Sequence, residues 1–485
     1  MTSVAKDPTN LTIIPKEVRE KAKYCFECGI CTASCPMAEL LGARYNPRSL
    51  LQKAFIDPEK ALEEDSLWLC AWCYKCHDRC PQGLKPPEIF QLLKGEAAKR
   101  GIFNGFEKAI SSMEKDVPFP LICWYTCFHP ERAGMDEKRL NDALKKIVSR
   151  HKHSKKKATI TDHKQKVAVI GSGPAGLTAA CELKERGYSV TVFEALPAVG
   201  GMLRKSMPEY RLPRKVLEAE IEGLRDMGVE IRTDTRIGKD VEFDKLWKES
   251  YGAIFVAVGA HRSRKLGIEG EELAGVVDAL EFLWKVNAQQ KITLGRKVGV
   301  IGGGNVAVDA ARTALRQGAE EAIILYRRTR EEMPANPWEV MEAEREGVKF
   351  EFLTSPKRIR GKDGKVVELE CEKMKLGELD ETGRGKPEPI QGSDFSLQFH
   401  TIIVAIGEEI ETTFLPKEVD VGKNNRIRVN PITMETDMEG VFAGGDAITG
   451  PATVMEAILA GKRAACSIHQ YLTSIKQEGE EQPGD

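Results

Sequence analysis

The chain has 485 residues, 72 of them basic and 73 acidic, with 41% apolar and 7% aromatic side chains. At ~150 residues per domain this length allows about three domains, and the balanced charge leaves no footprint for nucleic acid or an anionic membrane surface. No apolar run approaches the ~20 residues of a membrane span and Met1 to Lys16 lacks a signal-peptide core, so a cytoplasmic protein without membrane insertion is expected.

In chain order, the first signal is a repeated cysteine array. Cys25, Cys28, Cys31 and Cys35 form C-x2-C-x2-C-x3-C, with Pro36 directly after; Cys70, Cys73, Cys76 and Cys80 repeat it before Pro81. Iron of an iron–sulfur cubane is soft, and each corner takes one thiolate. Three close cysteines let one loop wrap three corners, and the fourth ligand comes from the remote cysteine of the other run. The spacing predicts two [4Fe–4S] clusters, one on Cys25, Cys28, Cys31 and Cys80, the other on Cys70, Cys73, Cys76 and Cys35. Structural zinc is the alternative, but zinc sites pair two shorter knuckles.

The bridge from Met37 to Ser66, broken at Pro47 and Asp57-Pro58, has apolar residues at helical spacing, as does the stretch from Pro87 to Lys99. His77 is expected to be a hydrogen-bonding neighbour rather than a ligand, and Trp68, Trp72 and Trp124 to shield the clusters from solvent. Cys123 and Cys127 form a close pair, but two thiols cannot enclose a cubane, so they are expected to pack against the following domain. Cys181, Cys371 and Cys466 are scattered and read as inert buried hydrophobes. None of these three has a near neighbour in the sequence with which to form a reactive pair.

After a basic linker (Ser149 to Lys166), Val167-Ala-Val-Ile-Gly reads as a buried strand. Gly171-Ser-Gly173-Pro-Ala-Gly176 then opens a helix, and a second strand, Ser189 to Phe193, ends at Glu194. Strand, glycine turn, helix and distal acid together make a dinucleotide fingerprint, with the acid accepting from the ribose hydroxyls. A second fingerprint follows Lys297-Val-Gly-Val-Ile: Gly302, Gly304, Asn305 and Ala307 open a helix, and the next strand, Ala322 to Tyr326, ends in Arg327-Arg328. Arginines there would pair with a 2′-phosphate, so NADP(H) is expected over NAD(H). Ile254 to Ala260 and Thr401 to Gly407 read as buried strands at the crossings between the two folds. Gly440 to Ala447 ends a strand with Gly445 and with Asp446, an acid placed for a flavin ribityl or phosphate hydroxyl. Thr453 opens the last helix, whose amides could offset negative charge on a flavin. Arg360 to Lys365 reads as a hairpin turn, and Glu478 to Asp485 as a solvated acidic tail.

The cysteine module resembles helical two-cluster ferredoxins, specifically the C subunit of heterodisulfide reductases. From about Pro118 to Tyr471 the chain resembles the small subunit of glutamate synthase and the large subunit of NADH-dependent ferredoxin:NADP oxidoreductase, through GSGPAGL, GGMLRKSMPEYRLPRKV, GGGNVAVDAARTALRQGA, YRRTREEMPA and AGGDAITGPATVMEAI. The resemblance implies FAD contacts at Gly171, Gly173, Gly176, Glu194, Gly201, Leu203, Asp446 and Thr453, and NADP(H) contacts at Gly302, Gly304, Asn305, Arg327 and Arg328. Cys123 and Cys127 resemble the start of a further cysteine cluster in that family, with Glu131 where another cysteine would stand.

The expected fold is α/β: a helical iron–sulfur domain (1–150), then a flavin domain (163–285 and 401–475) interrupted by an inserted NADP(H) domain (286–400). The expected activity is an NADPH-linked FAD and iron–sulfur oxidoreductase subunit, exchanging electrons with other redox subunits of a complex or with ferredoxin. A self-contained reductase of polysulfide or another small acceptor, a glutamate synthase small subunit, and a relay with a disused nucleotide site are the alternatives. Electron bifurcation has no sequence signature.

Overall fold

The computed structural model describes residues 13–23, 25, 27–154, 163, 165–380 and 383–480, with 149–154 and 476–480 as backbone only. Residues 155–162 and 164 of the basic linker and 481–485 of the acidic tail lie outside the described residues.

The regular elements of the cysteine module are all helices, and proline sets where several of them begin. Pro36–Leu41, Pro47–Ile56, Pro58–Ala61 and Pro86–Arg100 all start on proline, whose fixed φ and missing N–H suit a first helical turn. The Asn46 and Asp57 side chains cap two of them, accepting from the Ser49 N–H at 3.1 Å and the Lys60 N–H at 3.0 Å. The expected breaks at Pro47 and Pro58 are therefore helix starts. Leu50, Leu51 and Ala54 of one helix and Phe90, Leu93 and Ala97 of another bury their faces in a core that continues into the flavin domain.

The remainder carries two five-stranded Rossmann-like sheets, a four-stranded antiparallel sheet and a two-stranded ribbon. In chain order the strands are β1 (Lys166–Ile170), β2 (Ser189–Phe193), β3 (Glu230–Arg232), β4 (Tyr251–Val256), β5 (Arg262–Ser263), β6 (Val276–Asp278), β7 (Lys297–Ile301) and β8 (Glu321–Tyr326). They continue as β9 (Lys349–Phe352), β10 (Thr354–Lys362), β11 (Lys365–Leu379), β12 (Gly385–Pro389), β13 (Phe395–Gln398), β14 (Thr401–Val404), β15 (Glu408–Glu409) and β16 (Val441–Ala443). The first sheet has the order β16-β4-β1-β2-β3 and the second β6-β14-β7-β8-β9, both parallel. β1 and β7 run through fully buried Val, Ala and Ile positions, as central strands covered on both faces must. The hairpin at Arg360 to Lys365 forms as expected, with Asp363 and Gly364 both at positive φ in its turn.

The inserted domain is larger than its expected boundaries. β6 and β14 hydrogen-bond within the second sheet, so the chain has left the flavin sheet by Val276 and has not returned at Thr401. The crossing is instead the two-stranded ribbon of β5 and β15, where Arg262 pairs with Glu409 and Ser263 with Glu408. The fold-switching small residues are there, but the buried strand at Thr401 belongs to the inserted sheet.

Candidate cofactor cleft

The three parts of the chain face one open cleft of about 1410 Å³. Of the expected cofactor residues, Gly173, Leu203, Asp446 and Thr453 line it from the flavin side, and Gly302, Gly304, Asn305, Arg327 and Arg328 from the inserted side. Gly171, Gly176, Gly201 and Gly445 build the wall rather than face the opening. A Cβ on Gly176 would press on the Gly171 carbonyl oxygen, and one on Gly445 would stand 2.9 Å from the Ala175 Cβ. At Gly173 and Gly304, by contrast, a Cβ would meet nothing within 4 Å. Both glycines precede a helix start, at Pro174 and Asn305. Bare backbone, open space and a helix N-terminus are what a pyrophosphate requires.

Glu194 is buried, its carboxylate accepting from the Ser172 N–H at 3.0 Å, the Ser172 hydroxyl and the Leu196 N–H at 2.8 Å. It clamps the glycine turn onto the end of β2. Asp446 accepts from the Ala452 N–H at 3.2 Å, and burial, with Glu456 and Glu408 nearby, pushes its carboxyl up to about 7. Thr453 and Glu456 form a reciprocal cap on the helix Val454–Glu480, with the Thr453 hydroxyl 2.8 Å from the Glu456 carboxylate.

The two arginines after β8 differ. Arg327 is exposed and faces the cleft. Arg328 is buried, donating to the Gly385 carbonyl at 2.8 Å and pairing with Asp380 at 2.5 Å. It fastens the β11–β12 hairpin to the nucleotide domain, while Arg327 is the one presented to a ligand. Asn305 accepts from the Asn336 N–H at 2.8 Å and so fixes the loop opposite the glycine turn.

Cys35 lies within electrostatic reach of Cys70, Cys73 and Cys76 and also of Cys31, while Cys31 feels Cys25 and Cys28. Burial pushes the Cys35 thiol up to about 12 and raises Cys73 and Cys76 as well. Thiols this reluctant to ionise become ligands only when a metal centre supplies the compensating positive charge. Among the described residues no three His, Cys, Asp or Glu side chains converge on a single-ion site; the four thiolates of a cubane bind separate irons and stand wider apart. Cys73 is the cysteine of the array that lines the cleft, with Tyr74 and Lys75 beside it. Lys75 pairs with Glu456 at 3.0 Å, tying this loop to the start of the last helix. Cys28, in the other set, is exposed. His77 hydrogen-bonds the Leu84 carbonyl at 3.1 Å, the neighbour role expected of it.

Cys123 and Cys127 are buried where the module meets the flavin domain. The Leu121 N–H donates to Glu220 at 2.9 Å, joining their helix to the flavin-domain helix Arg214–Asp226. Cys127 lines the cleft with Cys123 hydrogen-bonded to it, so these two thiols stand at its wall. Of the scattered cysteines Cys371 is buried, whereas Cys181 is half-buried and Cys466 exposed, because both lie on outward faces of their helices. Trp68 and Trp124 pack on Phe106 in the core. Trp72 instead crosses a domain boundary, its ring 5.3 Å from that of Trp338, with Arg132 over both.

Sequence reasoning missed the ionic network under that contact. Arg132, Arg312 and Arg211 converge on Glu339 at 2.6, 2.8 and 3.6 Å, and Arg211 also pairs with Asp309 at 2.7 Å. Burial alone would raise Glu339, but Arg211, Arg132 and Arg312 outweigh it and hold the carboxyl at about 2. Spacing in the sequence could not reveal it, since its members come from all three domains. Lys94, buried beside Cys70, was likewise missed.

A family model for pyridine nucleotide-disulphide oxidoreductases matches residues 165–461, and one for 4Fe-4S dicluster domains matches residues 21–84. The chain is 38% identical over 430 residues to the NADP(+)-dependent formate dehydrogenase subunit beta of Moorella thermoacetica, covering 82% of this chain and 60% of that protein. It is 38% identical over 441 residues to the NADPH-Fe(3+) oxidoreductase subunit beta of Geobacter sulfurreducens, covering 83% and 64%. The glutamate synthase [NADPH] small chain of Escherichia coli K12 is 35% identical over 326 residues, covering 64% of this chain and 69% of that one. The chain thus spans 60–64% of the length of the first two relatives. Among solved structures, Mycobacterium tuberculosis FprA in complex with NADPH shares the fold at a TM-score of 0.56 and 20% identity, covering 66% of this chain and 87% of that one. FAD, NADP(H) and [4Fe–4S] clusters are the cofactors of these two units. With two nested nucleotide folds behind a dicluster module, the chain belongs to the pyridine nucleotide-disulphide oxidoreductase family.

Proposed function

We propose that this chain is the NADPH-linked subunit of a larger redox complex, exchanging electrons between NADP(H), FAD and two [4Fe–4S] clusters. The observation that carries this reading is the single cleft, walled by both glycine turns and by the Cys73 loop. FAD would be held by Gly171, Gly173, Gly176, Glu194, Gly201, Leu203, Gly445, Asp446 and Thr453. NADP(H) would be held by Gly302, Gly304, Asn305 and Arg327, with Arg328 bracing the hairpin behind them. Cys25, Cys28, Cys31 and Cys80 would take one cluster and Cys70, Cys73, Cys76 and Cys35 the other. A bound flavin would supply the conversion between two-electron hydride transfer and single electrons.

The protein's own task is positioning. Glu194 fixes the turn that receives the pyrophosphate, the cap of Thr453 and Glu456 presents helix amides to the cleft, and Lys75 holds the cysteine loop against it. Relatives named as beta subunits support a place in an assembly, with other redox subunits or ferredoxin as partners. The chain, reconstituted anaerobically, should show flavin absorbance bleached by NADPH much faster than by NADH. Equal rates would remove the NADP(H) assignment. Purification from its native source should bring companion redox subunits with it; a chain that elutes alone and reduces polysulfide unaided would favour a self-contained reductase.

A further inference from the structure

Buried cations in this protein have carboxylate partners, with one exception among the described residues. Arg312 meets Glu339 and Glu346, and Arg328 meets Asp380. Lys94 is 3% exposed and pairs with none. Its Nζ donates to the Cys70 carbonyl at 3.4 Å and lies 5.9 Å from the centre of the Trp68 ring. The helix Pro86–Arg100 leaves it no route to water, because Phe90, Leu93 and Ala97 bury the same face. The negative groups that act on it are the Cys70 thiol and, at longer range, Glu131, and neither forms an ion pair with it. A long cation buried in a protein core without a paired anion is strongly disfavoured, so the position calls for further negative charge close by.

We propose that Lys94 is the fixed counter-cation of the cluster on Cys70, Cys73, Cys76 and Cys35, and that it holds that cluster's reduction potential up. A cubane bearing four thiolates is a net anion, and it gains a further negative charge on reduction. A buried positive charge nearby stabilises the reduced form more than the oxidised one. The same four cysteines include Cys73, the one that faces the cleft. Lys94 therefore acts on the centre placed to exchange electrons with the flavin, whereas the set containing the exposed Cys28 has solvent beside it. The inference rests on the cluster assignment proposed above.

The test is a redox titration, followed by electron paramagnetic resonance, of the full-length chain and of Lys94→Met, Lys94→Gln and Lys94→Arg, each analysed for iron and sulfide. Wild type should titrate as two clusters; if it holds none, the cluster assignment and this inference fall together. In the neutral variants one cluster should shift to lower potential while the other cluster and the flavin stay put, and Lys94→Arg should remain near wild type. If both neutral variants lose that cluster and Lys94→Arg keeps it, the requirement for positive charge stands. An unmoved potential in either neutral variant with full iron content, or Lys94→Arg behaving like the neutral variants, would overturn the proposal.

Discussion

At the scale of single residues, the two arginines after β8 show how a readable signal can be half right. The sequence pattern treats Arg327 and Arg328 as equals, but only Arg327 is exposed at the cleft, while Arg328 is spent on Gly385 and Asp380. Arg327→Ala should therefore raise KM for NADPH by ~10–100-fold, the value of one charge-assisted hydrogen bond at ~1.5–3 kcal/mol, with little effect on NADH. Arg328→Ala should instead lower thermal stability by loosening the hairpin. Steady-state kinetics with both nucleotides, set beside melting curves, separates the two. Asp446 gives a second test at this scale. Its carboxyl is raised to about 7, above the ~3.9 of an unfolded chain, so the folded state binds the proton more tightly. The stability this contributes is complete below pH ~3.9 and is lost as pH rises through about 7. In the flavin-free chain, Asp446→Asn should be more stable than wild type at pH 8, with the gain shrinking toward acid pH in urea titrations.

At the scale of elements, the sequence was most legible where a single stretch carries its own instructions. Strand, glycine turn and helix at 166–185 and again at 297–316 follow from local order, as do the proline-started helices and the Asp363-Gly364 hairpin turn. Thr401 to Gly407 was legible as a strand but not as to which sheet it joins, because a run buried on both faces carries no partner preference. Lys94 left a weak trace: it sits on the apolar stripe of its helix, between Phe90 and Ala97. Least legible was the knot around Glu339, since long-range ion pairs have no period. Removing its carboxylate leaves Arg132, Arg211 and Arg312 without their common partner, so Glu339→Gln should cost ~3–5 kcal/mol, as breaking buried pairs does. Because the carboxyl is held at about 2, below the ~4.3 of an unfolded chain, its contribution is full above pH ~4.3 and fades as pH falls toward about 2. The stability gap between wild type and variant should accordingly be flat at neutral pH and close in acid; a gap independent of pH would mean the network acts through packing alone.

At the scale of the whole molecule, the three parts are joined at the places where electrons would pass. Lys75 pairs with Glu456, Glu39 with Arg463 of the same last helix, and Trp72 packs its ring at a tilt against Trp338 of the inserted domain. Each contact joins the cysteine module to one of the two nucleotide folds, and two of them arise within or next to the loop carrying Cys73. Such rigid placement is what a chain of centres requires, since it fixes which set of thiolates lies nearest the flavin and which faces outward. The arrangement makes the two cysteine sets unequal, with Cys73 at the cleft and Cys28 exposed. Substituting one cysteine in each should therefore have different consequences. In Cys28→Ser, NADPH should still bleach the flavin and reduce the remaining cluster at the wild-type rate, while delivery to an external one-electron acceptor fails. In Cys73→Ser, the flavin should still accept from NADPH, but the outer cluster should no longer be reduced at a comparable rate. Stopped-flow absorbance with freeze-quenched resonance spectra distinguishes these outcomes, and equal loss of cluster reduction in both variants would show that the flavin does not reach the array through the Cys73 side.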